Sequence, residues 1–204
     1  AAMIEAMDTA VGKVLNSLDN LNLTDETLVI FSSDNGPFGG VGDASPLRAD
    51  KGHLYEGGIR VPLIIRWPGK IKPKTLDETP VILTDLYPTI LEASGISSNV
   101  NYPIDGKNLL PLLKNRKKLN DRAIFWHYPN FAFHRDNRLG SAIREGDYKL
   151  IHFYDTDSME LYNLRKDISE RNDLSLELPQ LALKLKNKLE SLLKESGAAM
   201  PINR

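Results

Sequence analysis

The chain has 204 residues, of which 41% are hydrophobic and 26% are charged, and its formal net charge at pH 7 is −1. This composition is typical of globular proteins and excludes a disordered or collagen-like chain. A net charge near zero gives no general support for nucleic acid or a membrane surface as a partner. No apolar run approaches the roughly 20 residues that cross a bilayer, and the absence of cysteine excludes disulfides and thiolate metal sites.

The first half of the chain predicts helices and two strands. Apolar residues recur at spacings of three and four between residues 3 and 18, which predicts an amphipathic helix. The apolar runs 28–31 and 61–67 predict strands that are buried on both faces, as in a parallel sheet. A capping residue and an early proline at 84–88 predict another helix, which Gly95 ends, and a short helix is expected at 109–113.

The second half predicts a small antiparallel sheet and a covering helix. Short strands are expected at 122–127, 141–144, 148–154 and 160–162. Glu145-Gly146-Asp147 is typical of a hairpin turn between two of them. Leucines on one face of the segment 178–195 predict a long helix that Gly197 ends.

These elements predict an α/β fold with two regions. Residues 1–118 form the first domain, with the two apolar strands, and residues 119–204 form a C-terminal α+β subdomain with an antiparallel sheet packed on a long helix. Two strands alone cannot make a sheet that is buried on both faces. We therefore expect a further N-terminal portion of the same polypeptide to supply the neighbouring strands.

Asp34-Asn35-Gly36 follows the first apolar run directly. Asn-Gly is a favoured two-residue hairpin connection, so one interpretation is a tight turn. The next apolar run begins some 25 residues later, which does not fit a tight hairpin. The other interpretation is a hard-cation site, because carboxylate and amide oxygens suit calcium or magnesium and ligands collect at the carboxyl ends of strands in open α/β sheets.

Lys51 lies in a glycine-rich loop, KGHLYEGG. Glycine lets a backbone approach a ligand closely, so the ammonium group is a candidate to hold an anionic oxygen; the alternative is a solvated surface lysine. Arg48, three residues earlier, is a candidate substrate contact or a partner for Asp50 or Glu56.

None of the four histidines has the i, i+4 spacing of a helical zinc pair. His127 follows a predicted strand and is the best candidate to face a substrate cleft, the alternative being a hydrogen-bonded structural histidine. We interpret Glu160, Glu170 and Asp173 as a helix cap and a salt-bridged surface turn.

Six segments occur in the order known from one enzyme family: TLVIFSSDNG, LRADKGHLYEGGIRVPLIIRWPGK, TDLYPTILEASG, DGKNLLPLL, AIREGDYKLI and ELYNLRKDISERNDLS. Together they resemble the C-terminal portion of the sulfatase family, within the alkaline-phosphatase superfamily. The resemblance implies part of an alkaline-phosphatase-like sheet and an enzyme that hydrolyses sulfate esters.

The resemblance also implies roles for particular residues. Asp34 and Asn35 correspond to two calcium ligands, and Lys51 corresponds to the lysine that contacts the sulfate and the leaving oxygen. The implied partner is a sulfated small molecule or glycan, with no nucleic acid and no membrane, and the implied location is periplasmic or secreted.

The chain departs from the family pattern in two important respects. The family's nucleophile is a formylglycine made in a Cys/Ser-x-Pro-x-Arg motif, which this sequence lacks, as it lacks the aspartate pair that completes the calcium site. We therefore expect the chain alone to be inactive and to bind calcium weakly or not at all. A phosphoryl or phosphonate hydrolase of the same superfamily, and a non-catalytic module that binds a glycan or a partner, stay open as alternatives.

Overall fold

The structure, a computed structural model, describes residues 2–96, 103–114, 118–131, 134 and 136–201. The helices are α1 (Ala2–Asn20), α2 (Glu56–Ile59), α3 (Leu86–Ala93), α4 (Leu110–Leu113) and α5 (Pro179–Glu195), with single 3-10 turns at Thr24–Glu26 and Leu83–Asp85. The strands are β1 (Val29–Ser32), β2 (Leu63–Arg66), β3 (Ala123–Tyr128), β4 (Gly140–Glu145), β5 (Tyr148–Phe153) and β6 (Ser158–Asn163).

The chain groups into two compact units by its contacts. The first comprises Ala1–Ser32 and Leu63–Asn120, and the second comprises Ser33–Pro62 and Asp121–Arg204. The predicted domains 1–118 and 119–204 place the segment 33–62 in the first region, whereas the contacts group it with the second unit. As domains in the folding sense, 1–118 and 119–204 stay a prediction.

In the first unit, β1 and β2 pair antiparallel, from Val29 opposite Arg66 to Ser32 opposite Leu63. The expectation of parallel strands is wrong for this pair. The expected burial on both faces is wrong as well, because Ile64 is 60% exposed and no residue of either strand is fully buried. An apolar run predicts a strand but not the direction of its neighbour. The connection contains only the one-turn helix α2, whereas a parallel crossover usually contains a longer helix.

The helix predicted near the start of the chain is confirmed as α1, but its apolar stripe is uncovered. None of its residues is buried, and Met3 and Ile4 are 87% and 68% exposed. Among the described residues, no helix combines the length and the apolar character that a bilayer crossing requires.

The second unit is built on a four-stranded antiparallel sheet in the order β3-β4-β5-β6. The four predicted strands are confirmed, and so is the turn between β4 and β5, where Gly146 has a φ of +59°. That φ lies in the left-handed region, which glycine enters without steric cost.

Both faces of this sheet are covered. Because side chains alternate along a strand, Ile143, Leu150 and Leu161 share one face, where they pack against Leu185 and Leu189 of α5.

The opposite face is covered by the segment that carries the predicted lysine loop. There, Ala142, Ile151, Phe153 and Tyr162 pack with Leu54 in a second buried cluster. The sheet is therefore the platform on which the candidate site is built.

Replacing Leu185 by alanine tests the core under α5. The side chain is 1% exposed, so its truncation removes buried apolar contacts and leaves a cavity. We expect the free energy of unfolding to fall by about 2–5 kcal/mol, as measured by urea denaturation followed by circular dichroism. Leu183→Ala, at a 49% exposed position of the same helix, is the matched control and should change stability by less than about 1 kcal/mol. Equal effects of the two substitutions would contradict this packing.

Candidate active site

The turn at Asp34-Asn35-Gly36 and the lysine loop are joined by backbone hydrogen bonds. The Gly36 amide donates to the carbonyl oxygen of Gly58 in α2 at 2.9 Å, and the Lys51 amide donates to the carbonyl oxygen of Pro37 at 2.9 Å. The Asn-Gly pair is therefore not a two-residue hairpin connection, because β1 pairs with a strand that starts only at Leu63. The structure brings the backbones that carry Asp34, Asn35 and Lys51 into one hydrogen-bonded loop cluster.

Glycines make this close approach possible. A Cβ atom added at Gly36 would lie 1.8 Å from the carbonyl oxygen of Gly57. Added at Gly57 or Gly58, it would lie 2.1 Å from the carbonyl oxygens of Ala49 and His53, respectively. Backbone therefore packs directly on backbone in this cluster, and the glycine-rich sequence is a steric requirement.

Asp34 and Asn35 present oxygen atoms of the kind that calcium binds. Asp34 is exposed and Asn35 is half-buried. The Asn35 Nδ2 group donates to the Gly36 carbonyl oxygen at 3.1 Å, and the Ser33 hydroxyl donates to the Asn35 carbonyl oxygen at 2.9 Å. A primary amide that donates through Nδ2 keeps Oδ1 on its other side, where it can act as a ligand.

The described residues supply only part of a calcium site. Calcium takes six to eight oxygen ligands, and Asp34 and Asn35 provide side-chain oxygens for two or three of these positions. Across residues 2–96, 103–114, 118–131, 134 and 136–201, no group of three or more His, Cys, Asp or Glu side chains is placed to hold a metal ion. The chemistry of the two residues fits calcium, and further ligands would have to come from elsewhere.

Lys51 is half-buried, and the backbone beside it is fixed by the loop between β3 and β4. Gly52 has a φ of +92° and packs against the His134 ring, while Asn137 donates through Nδ2 to the Gly52 carbonyl oxygen at 2.5 Å. The Lys51 backbone is thus held on both sides, at Pro37 and at Gly52.

The side chain of Arg48 is engaged inside the second unit. Its Nη1 donates to the Tyr162 hydroxyl and to the Glu170 carbonyl oxygen, both at 2.9 Å. The guanidinium group lies 3.8 Å from the centre of the Tyr55 ring and 3.8 Å from Glu160 Oε2. The structure thus pairs Arg48 with Glu160, so its role as a substrate contact stays a prediction.

The hydroxyls of Tyr55 and Tyr162 both donate to Glu160 Oε2 at 2.7 Å. Burial, and then these hydrogen bonds to a carboxylate, raise the pKa of both phenols above the ordinary value. Burial alone would lower the pKa of the Arg48 guanidinium, but the neighbouring Tyr55, Tyr162 and Glu160 hold it above its usual value. This cluster joins the lysine loop to the sheet and leaves Arg48 firmly charged.

His127 uses both ring nitrogens within the chain. Nδ1 lies 2.7 Å from the Ser141 hydroxyl and 3.1 Å from the Tyr154 hydroxyl, and Nε2 lies 2.8 Å from the Ala199 carbonyl oxygen. Nε2 therefore donates to the carbonyl while Nδ1 accepts a hydroxyl proton, since a carbonyl oxygen can only accept. The geometry favours the structural alternative considered from the sequence, and a substrate contact by His127 stays a prediction.

A buried group of charges beneath the site was not foreseen. Lys149 Nζ lies 3.0 Å from Glu56 Oε1 and 2.9 Å from Glu170 Oε1, and the three residues are at most 2% exposed. The interpretation of Glu170 as part of a surface turn is wrong, because it packs under α2, where burial raises its pKa. The sequence carries no signal for this pairing, because Lys149 and Glu56 lie far apart in the chain. The lysine is buried because both faces of β5 are covered.

The first unit contains a groove of ≈ 760 Å³ that holds none of the predicted site residues. Apolar side chains of β2, α4 and the segment after β2 line much of it, among them Trp67, Ile71 and Leu112. Its lining offers no group of acidic or imidazole side chains placed for catalysis or metal binding. The candidate chemistry therefore stays with the loop cluster of the second unit.

Comparison with known proteins identifies the family. A family model described as "N-sulphoglucosamine sulphohydrolase, C-terminal" matches residues 48–195. The chain belongs to the sulfatase family. The resemblance to a sulfatase C-terminal portion is thereby confirmed.

Two curated relatives are also sulfatases by name. A protein named "Sulfatase" from Formosa agariphila is 40% identical over 221 residues, which cover 97% of this chain and 40% of the relative. The N-acetylglucosamine-6-O-sulfatase of Bacteroides thetaiotaomicron is 33% identical over 85% of this chain and 31% of its own length. The sulfatase chain described here thus spans well under half of the relatives that it matches.

Solved structures agree in fold. A protein in complex with its substrate D-glucosamine-2-N,6-O-disulfate matches with a TM-score of 0.80 at 30% identity, covering 97% of this chain and 40% of that protein. A protein in complex with a neocarrahexaose matches with a TM-score of 0.79 at 30% identity, covering 93% of this chain and 41% of that protein. The predicted α/β class, with an antiparallel sheet packed on a long helix, is confirmed.

Substitution of Gly36 by alanine tests the backbone contact that joins the two loops. A methyl group there meets the Gly57 carbonyl oxygen at 1.8 Å, so α2 and the turn must move apart. We expect a loss of about 1–3 kcal/mol in the free energy of unfolding, the usual cost of overpacking, measured by chemical denaturation.

Gly12→Ala is the control, since a methyl group at Gly12 meets nothing within 4 Å. Gly12 lies inside α1, where alanine is favoured over glycine by up to about 1 kcal/mol. A Gly36→Ala protein as stable as the unsubstituted chain would show that the two backbones do not pack as described.

Proposed function

We propose that the chain is the C-terminal portion of a sulfatase that hydrolyses sulfate esters. The observation that carries the proposal is the loop cluster in which the amide hydrogen bonds from Gly36 to Gly58 and from Lys51 to Pro37 hold an acidic turn beside a lysine loop. The match of residues 48–195 to a sulfatase C-terminal family supports it.

In this proposal two positive charges face the sulfate group, namely a calcium ion that Asp34 and Asn35 would bind and the ammonium group of Lys51. Asp34 and Asn35 provide oxygen ligands for calcium, which when bound supplies positive charge that stabilises the sulfate oxygens. Lys51 contributes its ammonium group to the sulfate and to the oxygen that leaves. Fixed positive charges aimed at developing negative charge lower a reaction barrier, because they need no rearrangement during the reaction.

The remaining parts of the proposal concern what lies outside the loop cluster. The formylglycine nucleophile and the other calcium ligands belong to an N-terminal portion of the same polypeptide. We propose a sulfated glycan as substrate, supported by the sugar complexes of the two structural relatives and by the N-acetylglucosamine-6-O-sulfatase. A periplasmic or secreted location is proposed from the family resemblance. Contacts of Arg48 and His127 with the substrate stay predictions that this assignment does not require.

The test uses the complete polypeptide that contains this chain. We expect it to hydrolyse an aryl sulfate in preference to the matching aryl phosphate. Lys51→Ala should lower kcat/KM for the sulfate by about 100-fold or more, the usual effect of removing one group that stabilises a developing oxyanion. Asp34→Ala should also lower kcat/KM, because it removes an oxygen ligand of the calcium ion. Lys70→Ala removes an exposed lysine of the first unit and should leave kcat/KM unchanged.

Other outcomes of that assay would replace the proposal. Preference for the aryl phosphate would assign a phosphoryl hydrolase of the same superfamily. No hydrolysis of either ester would favour a glycan- or partner-binding module.

A separate prediction concerns the 204 residues alone. Because the sequence lacks a formylglycine motif, and because the described residues offer only Asp34 and Asn35 as candidate calcium ligands, the isolated chain should hydrolyse no sulfate ester. The measurement is aryl sulfate turnover at millimolar calcium, with the complete polypeptide as the positive control. Turnover by the isolated chain would contradict the proposal that the nucleophile and the other calcium ligands lie outside this chain.

A further inference from the structure

We infer that the buried charge cluster of Lys149, Glu56 and Glu170 is a positioning device for the candidate calcium ligands Asp34 and Asn35. The inference rests on the proposed function for the meaning of those ligands. It assigns a task to three buried residues that lie away from the turn itself.

The cluster fixes the start of α2 by a hydrogen bond as well as by charge. Glu56 is the first residue of α2, and its backbone amide donates to Glu170 Oε2 at 2.6 Å. Its own carboxylate reaches Lys149 through Oε1 at 3.0 Å, and Arg60 lies 3.5 Å from Oε2. Two carboxylates are thus balanced by two cations, of which Lys149 is fully buried.

Lys149 belongs to the sheet of the second unit. Lys149 lies in β5 opposite Arg144 of β4 and Tyr162 of β6, on the face that Leu54 covers. Burial lowers the pKa of Arg144, while the nearby Glu56 carboxylate acts against that shift. A buried cation on a covered sheet face requires anions, and Glu56 and Glu170 supply them to Lys149 from the loop and from the segment after β6.

Helix α2 contacts the Asp34-Asn35-Gly36 turn directly. The carbonyl oxygen of Gly58, two residues after Glu56, accepts the hydrogen bond from the Gly36 amide. The carbonyl oxygen of Gly57 touches the other side of Gly36, where no Cβ atom fits. Asn35 precedes Gly36 directly, so a rotation or shift of α2 moves the peptide that carries the candidate ligands.

Burial of charge suits this task better than it suits stability. A buried ion group is often no more stabilising than apolar residues of the same volume, because the charges lose their hydration. It does, however, impose direction, since each carboxylate must face its partner to offset that loss. Groups that hydrogen-bond directly to metal ligands commonly change metal affinity or activity 10–100-fold when they are substituted. Here the cluster acts on the peptide that carries the candidate ligands through α2.

The first test is Lys149→Met in the complete polypeptide. We expect the calcium concentration for half-maximal activity to rise at least 10-fold and kcat at saturating calcium to fall, with a smaller change in KM for the sulfate ester. The control is Lys188→Met, which removes the ion pair between Lys188 and Glu145 on the partly exposed edge of the same unit and should change none of these values. Wild-type calcium dependence and kcat in a folded Lys149→Met protein would overturn the inference.

A second variant covers the case in which Lys149→Met does not fold. The triple substitution Glu56→Gln, Lys149→Met and Glu170→Gln removes the three fully buried charges with little change in volume. Arg60 and Arg144, which also lie near Glu56, are partly exposed and keep contact with water. The same rise in calcium requirement is expected from the triple variant. A folded triple variant with unchanged calcium requirement overturns the inference.

The second readout does not depend on catalysis. In the complete polypeptide, hydrogen exchange followed by mass spectrometry should be at least 10-fold faster for the peptide that contains Gly36 in the Lys149→Met or triple variant than in Lys188→Met, while the peptide that contains Ile143 under α5 is unaffected. Unchanged Gly36 exchange in the folded variants defeats the positioning role even if the complete protein is a sulfatase. Faster exchange together with an inactive complete protein would instead retain the positioning of the turn and reject the proposed function.

Discussion

The contact on which the candidate site depends is the packing of bare backbone against bare backbone between Gly36 and α2. A turn that follows β1 and a one-turn helix some twenty residues later share a hydrogen bond from the Gly36 amide to the Gly58 carbonyl oxygen, at a separation that excludes any Cβ atom on Gly36. Two short loops with little regular structure would otherwise sample many conformations. Here backbone hydrogen bonds and close packing restrict both loops, so the acidic turn and the lysine loop are held together without a long helix or strand to support them.

The loop cluster also needs a defined orientation relative to the sheet, and apolar contact alone supplies that poorly. Leu54 packs well on the sheet face, but hydrophobic attraction has no direction and tolerates sliding. The ion pairs from Lys149 to Glu56 and Glu170, and the hydrogen bonds of Arg48 to Tyr162 and to the Glu170 backbone, are directional. Burial strengthens this effect, because a displaced partner would leave a charge without water or a counter-ion.

Sequence reasoning succeeded where local periodicity decides the outcome. The strands of the second unit, the turn at Gly146 and the bounds of α5 follow from patterns within ten or twenty residues, and the structure places them within two residues of expectation. It failed where partners are distant, since the hydrogen bonds of Arg48 span 114 and 122 residues. The burial of Lys149 and Glu170 was missed for the same reason. Asp34, Asn35 and Lys51 were predicted from loop chemistry and family resemblance. The hydrogen bonds that join their loops could not be predicted from the sequence.

The two units differ in how far their apolar faces are covered, and this difference bears on the candidate calcium site. The second unit covers both faces of its sheet, whereas the first leaves Ile64 of β2 60% exposed and α1 without a buried residue. Exposed apolar faces of this kind mark surfaces that other protein segments cover. The candidate calcium site is also incomplete among the described residues, because Asp34 and Asn35 offer two side chains and calcium takes six to eight oxygens. Under the proposed function both deficits have one origin, because the N-terminal portion that supplies the missing ligands also covers β1, β2 and α1. The backbone contacts that hold Asp34, Asn35 and Lys51 then favour assembly of the site, since ligands that are already fixed in place lose less conformational freedom when it forms.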